Sequence, residues 1–146
     1  MILAFELSSR RGSVALHDGA CVVAQQCWDE PAARHQALFA AVPRVLQDGG
    51  ATWSQLRAIA VGRGPGSFSG IRVALMTAQT LARPLLTPVL AVSSGEALAM
   101  DLAAESDGGP IVIAGDARRG AIWYAVFQPQ GAGVRRKQDW TLVPAA

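Results

Sequence analysis

Two short segments carry the residue types that could bind a phosphate or a metal ion. Residues 64–70 read Gly-Pro-Gly-Ser-Phe-Ser-Gly and join a predicted strand to a predicted helix, where backbone amides and the helix dipole favour anions. At the end of the first predicted strand, one carboxylate and two hydroxyls follow one another. The predicted anion or nucleotide contacts are therefore Glu6, Ser8, Ser9, Gly64, Gly66 and Ser67. A tight turn that brings a helix close to a strand, and a solvated strand end, are the simpler alternatives.

The spacing supports no other catalytic grouping. The glycine segment lacks the Gly-Lys-Ser/Thr ending of a phosphate-binding P-loop, and the single lysine, Lys137, lies far away in sequence. His35 has no acid three or four residues away, and Ser67 has no histidine partner that the pattern places, so no catalytic triad is indicated. Cys21 and Cys27 show no metal-ligand spacing with the two histidines, and we expect free, buried thiols.

Hydrophobic periodicity and turn signals predict the elements that position these segments. Three strands open the chain, and Asp18-Gly19 between the second and third is a strong hairpin signal. The pattern then predicts helices at about 31–48, 69–83 and 94–106, separated by strands at 56–61 and 89–92, with later strands at 111–114, 122–127 and 134–143. The order βββαβαβα followed by further strands predicts an α/β fold with a mixed sheet, as in a ribonuclease-H-like lobe.

A short sequence pattern that occurs twice in the chain predicts a duplicated fold. A strand, an acid, an Arg-Arg-Gly turn and a second strand occur in residues 2–16 and again in residues 111–127, with Glu6 and Asp116 as the acids. Chance is the alternative, because the match is short. The clearest break in the chain is Asp107-Gly108-Gly109-Pro110. We therefore expect a first lobe over residues 1–107 and a partial second lobe over residues 108–146.

Composition excludes two classes of protein. Hydrophobic residues make up 51% of the chain and charged residues 16%, which is not the balance of a disordered chain. No apolar run approaches the ~20 residues that a membrane span needs, and the start of the chain is a poor signal peptide. We therefore expect a cytoplasmic protein. A net charge of +2 does not by itself indicate nucleic acid. Basic residues at 118–119 and 135–137 lie near aromatic ones, which leaves RNA contact and solvated arginines as alternatives.

Five ordered segments resemble the TsaB (YeaZ) family. The most specific is residues 64–72, Gly-Pro-Gly-Ser-Phe-Ser-Gly-Ile-Arg, which is similar to the family's Gly-Pro-Gly-Ser-Phe-Thr-Gly-Leu-Arg. The other four are the opening Ile2–Ser9, Arg34-His35, Val92–Leu98 and the strand pair within Asp116–Phe127. The resemblance extends over nearly the whole chain.

The resemblance implies an actin-like fold of two ribonuclease-H-like lobes and a non-catalytic role without a cofactor. The family acts in making threonylcarbamoyladenosine on tRNA, where the paralogue TsaD carries the metal and transfers the carbamoyl group. The ATPase TsaE acts together with TsaD, and the resemblance implies that TsaB proteins contact tRNA only indirectly. TsaB proteins bind TsaD through two helices of the first lobe, here about 31–48 and 69–83, and form homodimers through the same surface when TsaD is absent. The implied interface residues are Arg34, His35, Leu38, Val42, Ile71, Ala74, Leu75 and Ala78.

The chain departs from the family pattern in ways that keep alternatives open. Glu6 stands where the family has Asp, and its longer side chain would displace a metal or a phosphate-bound water. Family members continue well past position 146, so residues 110–146 would leave the second lobe unfinished, with open strand edges. One alternative is an actin-like ATPase or glycoprotease-like enzyme with phosphate loops near Glu6 and Asp116. Another is a diverged dimeric protein that has left the pathway. The small residues of the second helix could equally pack within the lobe.

Overall fold

The computed structural model describes residues 1–29 and 36–145, which form eight β-strands, three α-helices and one short 3₁₀ helix at Trp53–Gln55. The chain divides into two compact units, Met1–Val92 and Ser93–Ala146. Each unit has its own sheet and its own core, with two α-helices in the first unit and one in the second.

The first unit is built on a mixed five-stranded sheet. β1 (Ile2–Glu6), β2 (Arg11–His17) and β3 (Val22–Asp29) form an antiparallel meander. β4 (Ala58–Gly62) pairs in parallel with β1, and β5 (Val89–Val92) pairs in parallel with β4. The resulting order, β3-β2-β1-β4-β5, confirms the predicted mixed sheet of a ribonuclease-H-like lobe.

Asp18 fixes the predicted hairpin between β2 and β3. Its carboxylate accepts the backbone amides of Cys21 at 2.9 Å and Ala20 at 2.8 Å. These two hydrogen bonds hold the pKa of Asp18 below its ordinary value, because they stabilise the charged form.

The two helices of the first unit pack into one core with its sheet. α1 (Gln36–Asp48) contacts β2 and β3, and α2 (Phe68–Leu85) lies mainly against β4. Buried residues alternate along β1 and β2, and their cross-strand partners share one face, as in the pair Leu3↔Leu16. The core includes Leu3, Phe5, Leu7, Val14, Leu16, Ile59 and Val61 from this sheet and its loops, with Leu38, Val42, Val45, Ala74 and Ala78 from the helices.

The second unit is a three-stranded antiparallel sheet packed against one helix. α3 (Ser94–Ala104) contacts β6 (Ile111–Arg118), β7 (Ala121–Gln130) and β8 (Gly133–Pro144), which pair in the order β6-β7-β8. The buried centre consists of Ala99, Ile113, Ala125 and Phe127. The observed division falls after Val92, ahead of the boundary predicted after residue 107, because α3 packs on this second sheet.

A cluster of three charged side chains ties α3 to β8. The Arg136 guanidinium donates hydrogen bonds to Glu96 and to Asp139, each at 2.6 Å. The bond to Glu96, followed by that to Asp139, raises the pKa of Arg136 above its ordinary value. The pKa of Asp139 is lowered, first because its carboxylate accepts the Trp140 amide and then because it accepts Arg136. Both shifts favour the charged forms that hold the cluster together.

The two cysteines are free but exposed, which corrects the expectation that they are buried. Cys21 lies in the turn before β3, and Cys27 lies on β3 itself. Ala24 and Trp28 pack on the core from one face of β3, and Cys27 lies on the opposite face because successive side chains of a strand alternate.

Replacing Glu96 tests the tie between α3 and β8. Glu96→Gln keeps the side-chain shape but removes the charge opposite Arg136, so we expect the free energy of unfolding to fall by about 1 kcal/mol, the upper end for a partly exposed pair. Urea unfolding followed by circular dichroism measures the change. Asp101→Asn, an exposed position on the same helix, is the matched control and should shift stability by less than about 0.5 kcal/mol. Equal losses in both variants would contradict the assignment.

Candidate functional site

The glycine-rich segment packs backbone to backbone on the loop that follows β1. Because β1 and β4 are parallel neighbours, their carboxyl ends lie at the same edge of the sheet. The Ser67 amide donates to the Ser8 carbonyl at 2.6 Å. A Cβ at Gly66 would overlap the Ser8 carbonyl, and one at Gly70 would overlap the Leu7 carbonyl. We call this contact between residues 6–9 and residues 62–70 the loop junction.

The Glu6 carboxylate makes its contacts within the loop junction. One of its oxygens accepts the backbone amide of Ser8, two residues further along. The carboxylate also lies directly over Gly62 at the end of β4, where a Cβ would overlap it. Glu6 therefore closes its own turn and fills the space beside Gly62.

The serines of the junction act as local caps. Ser67 is the N-cap of α2, and its hydroxyl accepts the Gly70 amide at 3.3 Å. The Ser9 hydroxyl donates to the Arg11 carbonyl at 2.9 Å and accepts the Arg11 amide at 3.1 Å. Gly64 has φ +82°, a conformation that favours glycine, so its residue type is explained by the backbone.

Three backbone amides of this junction already donate hydrogen bonds within the chain. The structure brings all six predicted anion contacts to one sheet edge, but the amides of Ser8, Ser67 and Gly70 donate to Glu6, to the Ser8 carbonyl and to the Ser67 hydroxyl. The Glu6 carboxylate and the Ser8 carbonyl accept two of these hydrogen bonds, and such oxygens disfavour an anion close by. The geometry supports the simpler alternative of a close helix-to-strand turn.

The second unit uses its corresponding acid in the same way. Asp116 lies near the end of β6, as Glu6 lies at the end of β1, and its carboxylate accepts the Arg118 amide at 2.6 Å. In both units the acid closes a turn two residues ahead of it. The residues 1–29 and 36–145 contain no group of three His, Cys, Asp or Glu side chains that could hold a metal ion.

Half of the predicted interface residues belong to the core. Ala74 and Ala78 are each 0% exposed, and Leu38 and Val42 are also buried. Their side chains pack against the sheet and cannot reach a partner, which corrects their assignment to an interface. Ile71 and Leu75 are half-buried, and Arg34 and His35 lie outside the described residues.

The surface that α2 presents is a stripe on its opposite side. Spacings of three and four residues place these side chains along one line of the helix. We call this set the α2 stripe: Phe68, Arg72, Met76, Gln79, Arg83 and Leu86, all exposed. Phe68 is 74% and Leu86 is 94% exposed, which is unusual for large apolar side chains. The spacing of these residues is visible in the sequence, but the prediction placed the interface on the small residues of the opposite side.

Two local features shape the α2 stripe. The Arg72 guanidinium lies 5.5 Å from the centroid of the Phe68 ring, within range of a cation–π interaction. Leu86 is the C-cap of α2 with φ +51°, so a leucine occupies a backbone conformation that usually takes glycine. On α1, Phe39 is also exposed, at 62%.

The two basic clusters of the second unit lie at opposite ends of its sheet. Arg118 and Arg119 lie at the β6–β7 turn, whereas Arg135 pairs with Gln128 towards the other end of β7. From Ala121 to Gln128 the strand runs about 23 Å, and Arg136 is held by Glu96 and Asp139. The structure does not join these residues into one RNA-binding surface. No helix in the described part of the chain is long and apolar enough to cross a membrane.

The fold defines the class: an actin-like, ribonuclease-H-like lobe followed by a second, smaller unit. Comparisons with known proteins agree. The family model for TsaD, tRNA N6-adenosine threonylcarbamoyltransferase, matches residues 30–137. The solved structure of YeaZ from Pseudomonas aeruginosa is similar with a TM-score of 0.87 and 34% identity, over 98% of this chain and 67% of that one.

Curated relatives narrow the class to a family. TsaB of Escherichia coli, a tRNA threonylcarbamoyladenosine biosynthesis protein, is 31% identical over 135 residues, which are 91% of this chain and 57% of the relative. TsaB of Bacillus subtilis is 40% identical over 90 residues, 60% of this chain and 38% of the relative. The chain belongs to the TsaB (YeaZ) family, as the sequence motifs indicated. It spans about half the length of these curated relatives.

Gly70→Ala tests the loop junction. The new methyl group would overlap the Leu7 carbonyl, so we expect the free energy of unfolding to fall by about 2 kcal/mol despite alanine's better helix propensity. Gly133→Ala is the matched control, because a Cβ there meets nothing within 4 Å. Urea unfolding of both variants provides the measurement. A fully stable Gly70→Ala protein would mean that the loop and α2 are not in close contact.

Ala78→Glu tests whether the small residues of α2 belong to the core. A carboxylate buried without a partner is strongly unfavourable, so we expect this variant to lose its cooperative thermal transition. Thr80→Glu, exposed two residues away, should unfold like the unchanged protein. Circular dichroism melts distinguish the two. A folded Ala78→Glu variant with altered association only would return Ala78 to the interface.

Proposed function

We propose that this chain is a non-catalytic partner subunit in the formation of threonylcarbamoyladenosine on tRNA. In this role it binds a TsaD-type carbamoyltransferase, in the cytoplasm, through the exposed faces of α1 and α2. The chain spans about half the length of its curated relatives. Their role in threonylcarbamoyladenosine biosynthesis is therefore part of the proposal for this chain. The observation that carries it is the α2 stripe, a row of exposed apolar and basic side chains along the whole of a helix.

The chemistry of the loop junction supports the non-catalytic part of the proposal. An actin-like ATPase needs an acid and open amides near Glu6 and again near Asp116. The carboxylates of Glu6 and Asp116 each accept a hydrogen bond from a backbone amide of their own turn. The Ser67 amide donates its hydrogen bond to the Ser8 carbonyl. We therefore assign metal binding and carbamoyl transfer to the TsaD-type enzyme. A TsaE-type ATPase acts in the same complex, and this chain contacts tRNA only indirectly, through these two proteins.

The α2 stripe supports a protein partner rather than a small ligand. The exposed side chains along α2 form a long, shallow surface. This surface includes a groove of about 520 Å³ beside the carboxyl end of the helix. Large exposed apolar residues in one row are typical of a protein contact. In the absence of the partner, the same face can bring two copies of the chain together.

Co-elution with the TsaD-type enzyme of the same organism tests the proposal. We expect a one-to-one complex in size-exclusion chromatography with light scattering. Phe68→Asp combined with Met76→Asp should weaken the complex at least tenfold, because two exposed apolar contacts of the stripe become charged.

Leu142→Asp combined with Val112→Asp is the matched control, since both residues are exposed apolar positions in the second unit. This control should bind the enzyme like the unchanged chain. Carbamoyl transfer by the chain alone, or equal binding by both double variants, would contradict the proposed function.

A further inference from the structure

The outer edge of β6 is a free strand edge in the second unit. β6 pairs with β7 on one side, and none of the strands within residues 1–29 and 36–145 pairs with its other side. β1 is the corresponding strand of the first unit, since Glu6 closes a turn after it as Asp116 does after β6. β1 is paired on both sides, with β2 and with β4. The free edge of β6 therefore leaves backbone N–H and C=O groups that can bind a further strand.

β6 also lacks the features that protect the other strand edges of the described residues. β5 has only four residues, and β3 carries two glutamines, Asp29 and an irregular register with β2. β8 carries four charged side chains within residues 135–139 and two register shifts against β7. Short length, charge and bulges are the devices that keep edge strands from pairing. Ile111–Gly115 in β6 has no charge, no proline and no register shift.

The sequence of β6 suits pairing with a second copy of itself. A two-fold axis uses the same patch on both copies, and it pairs two β6 strands antiparallel when it is perpendicular to the sheet. With Ile113 at the axis, this residue lies opposite Ile113 of the other copy. Val112 then lies opposite Ala114, and Ile111 lies opposite Gly115. Every pair consists of apolar or small residues, so no charge is buried and no like charges meet.

The neighbouring registers are less favourable. An axis at Val112 would place Pro110 opposite Ala114, and proline has no N–H to donate to the ladder. An axis at Ala114 would place Asp116 opposite Val112, so a charged side chain would lie against an apolar one. The residues that flank β6 therefore favour the register centred on Ile113.

This register also joins the outer faces of the two sheets into one apolar band. Val112 is 60% exposed and lies opposite Val126 of β7, and Ala114 lies opposite Tyr124. Across the paired strands, Val126 and Val112 of one copy are followed by Ala114 and Tyr124 of the other. The axis keeps each face of the sheet on its own side, so α3 of both copies covers the opposite face. Pairing thus covers Val112, which is otherwise a large apolar side chain in water.

We propose that the outer edge of β6 binds a second copy of this chain, antiparallel and centred on Ile113, and joins two three-stranded sheets into one of six strands. The contact uses neither α1 nor α2, and it goes beyond the proposed function. An edge of five residues forms a small interface, so the association is weak and depends on concentration.

Sedimentation equilibrium tests the pairing in a chain whose α2 contact is weakened. Phe68→Asp combined with Met76→Asp provides this background. We expect it still to dimerise at about 500 μM, a high concentration because the interface is small. Adding Val112→Lys should raise the dissociation constant of the dimer about tenfold, since a lysine on an edge strand opposes pairing. Adding Leu142→Lys is the matched control, an exposed apolar position on the edge strand β8, and should leave the dimer unchanged.

Hydrogen exchange locates the contact. At about 500 μM, where the weak dimer is populated, amides within residues 111–115 should exchange more slowly than at about 10 μM. The amides of β3, which is also an edge strand, should exchange equally at both concentrations.

A pair of complementary variants tests the register. Val112→Lys in one copy and Ala114→Glu in the other bring two opposite charges face to face when the axis lies at Ile113. We expect this mixture to associate about fivefold more tightly than either variant with itself. Val112→Lys mixed with Leu142→Glu is the matched control, because these charges lie on different edges of the sheet and should give no gain.

The outcomes separate this proposal from the proposed function. A monomer at about 500 μM in the α2-weakened background would overturn the self-pairing, because even a small interface should be populated there. A dimer that Val112→Lys leaves intact, or one that protects amides outside residues 111–115, would overturn it too. If the TsaD-type enzyme slows exchange in residues 111–115 and a second copy does not, the edge serves the enzyme and self-pairing is wrong. Val112→Lys in the unchanged chain should bind the enzyme normally, so the proposed function stands or fails independently.

Discussion

The close contact between the Leu7 and Ser8 carbonyls and the amino end of α2 is the constraint on which the first unit depends. Two backbone segments meet there with no room for side chains at Gly66 and Gly70. The hydrogen bond from the Ser67 amide to the Ser8 carbonyl fixes where α2 begins. Once the start is fixed, the rotation of the helix is fixed too, and each later residue has a determined side.

That rotation explains both faces of α2. The inner side must be small because the helix lies close to the sheet, and Ala74 and Ala78 are fully buried there. The outer side of α2 does not pack against the sheet, and polar residues there would be better hydrated. It nevertheless carries Phe68 and Leu86, both exposed. Packing explains the alanines, whereas nothing within the lobe requires the exposed apolar residues.

The sequence predicted the parts of the fold that depend on local pattern. The apolar run of β1, the β-favouring residues of β2, the Asp18-Gly19 turn and the glycine segment before α2 predicted the opening strands, the mixed sheet and the approximate start of α2. It misplaced what depends on tertiary packing. Small residues such as Ala74 are compatible with a core and with a helix interface, and only the neighbouring sheet decides between them. Cys27 is likewise exposed because the other face of β3, with Ala24 and Trp28, is the one that packs on the core.

The two acids show how a lobe of this kind can keep its architecture while its acid serves the backbone. Glu6 is the last residue of β1 and Asp116 lies near the end of β6, and each carboxylate accepts the amide of the residue two positions ahead. A carboxylate engaged in this way stabilises the turn but presents its charge to the chain instead of to a ligand. The glutamate at position 6 also reaches far enough to cover Gly62, so the same side chain holds the turn and closes the strand end. The Glu6 carboxylate is thus engaged by the backbone at this sheet edge, whereas α2 presents Phe68, Met76 and Leu86 to solvent on its outer side.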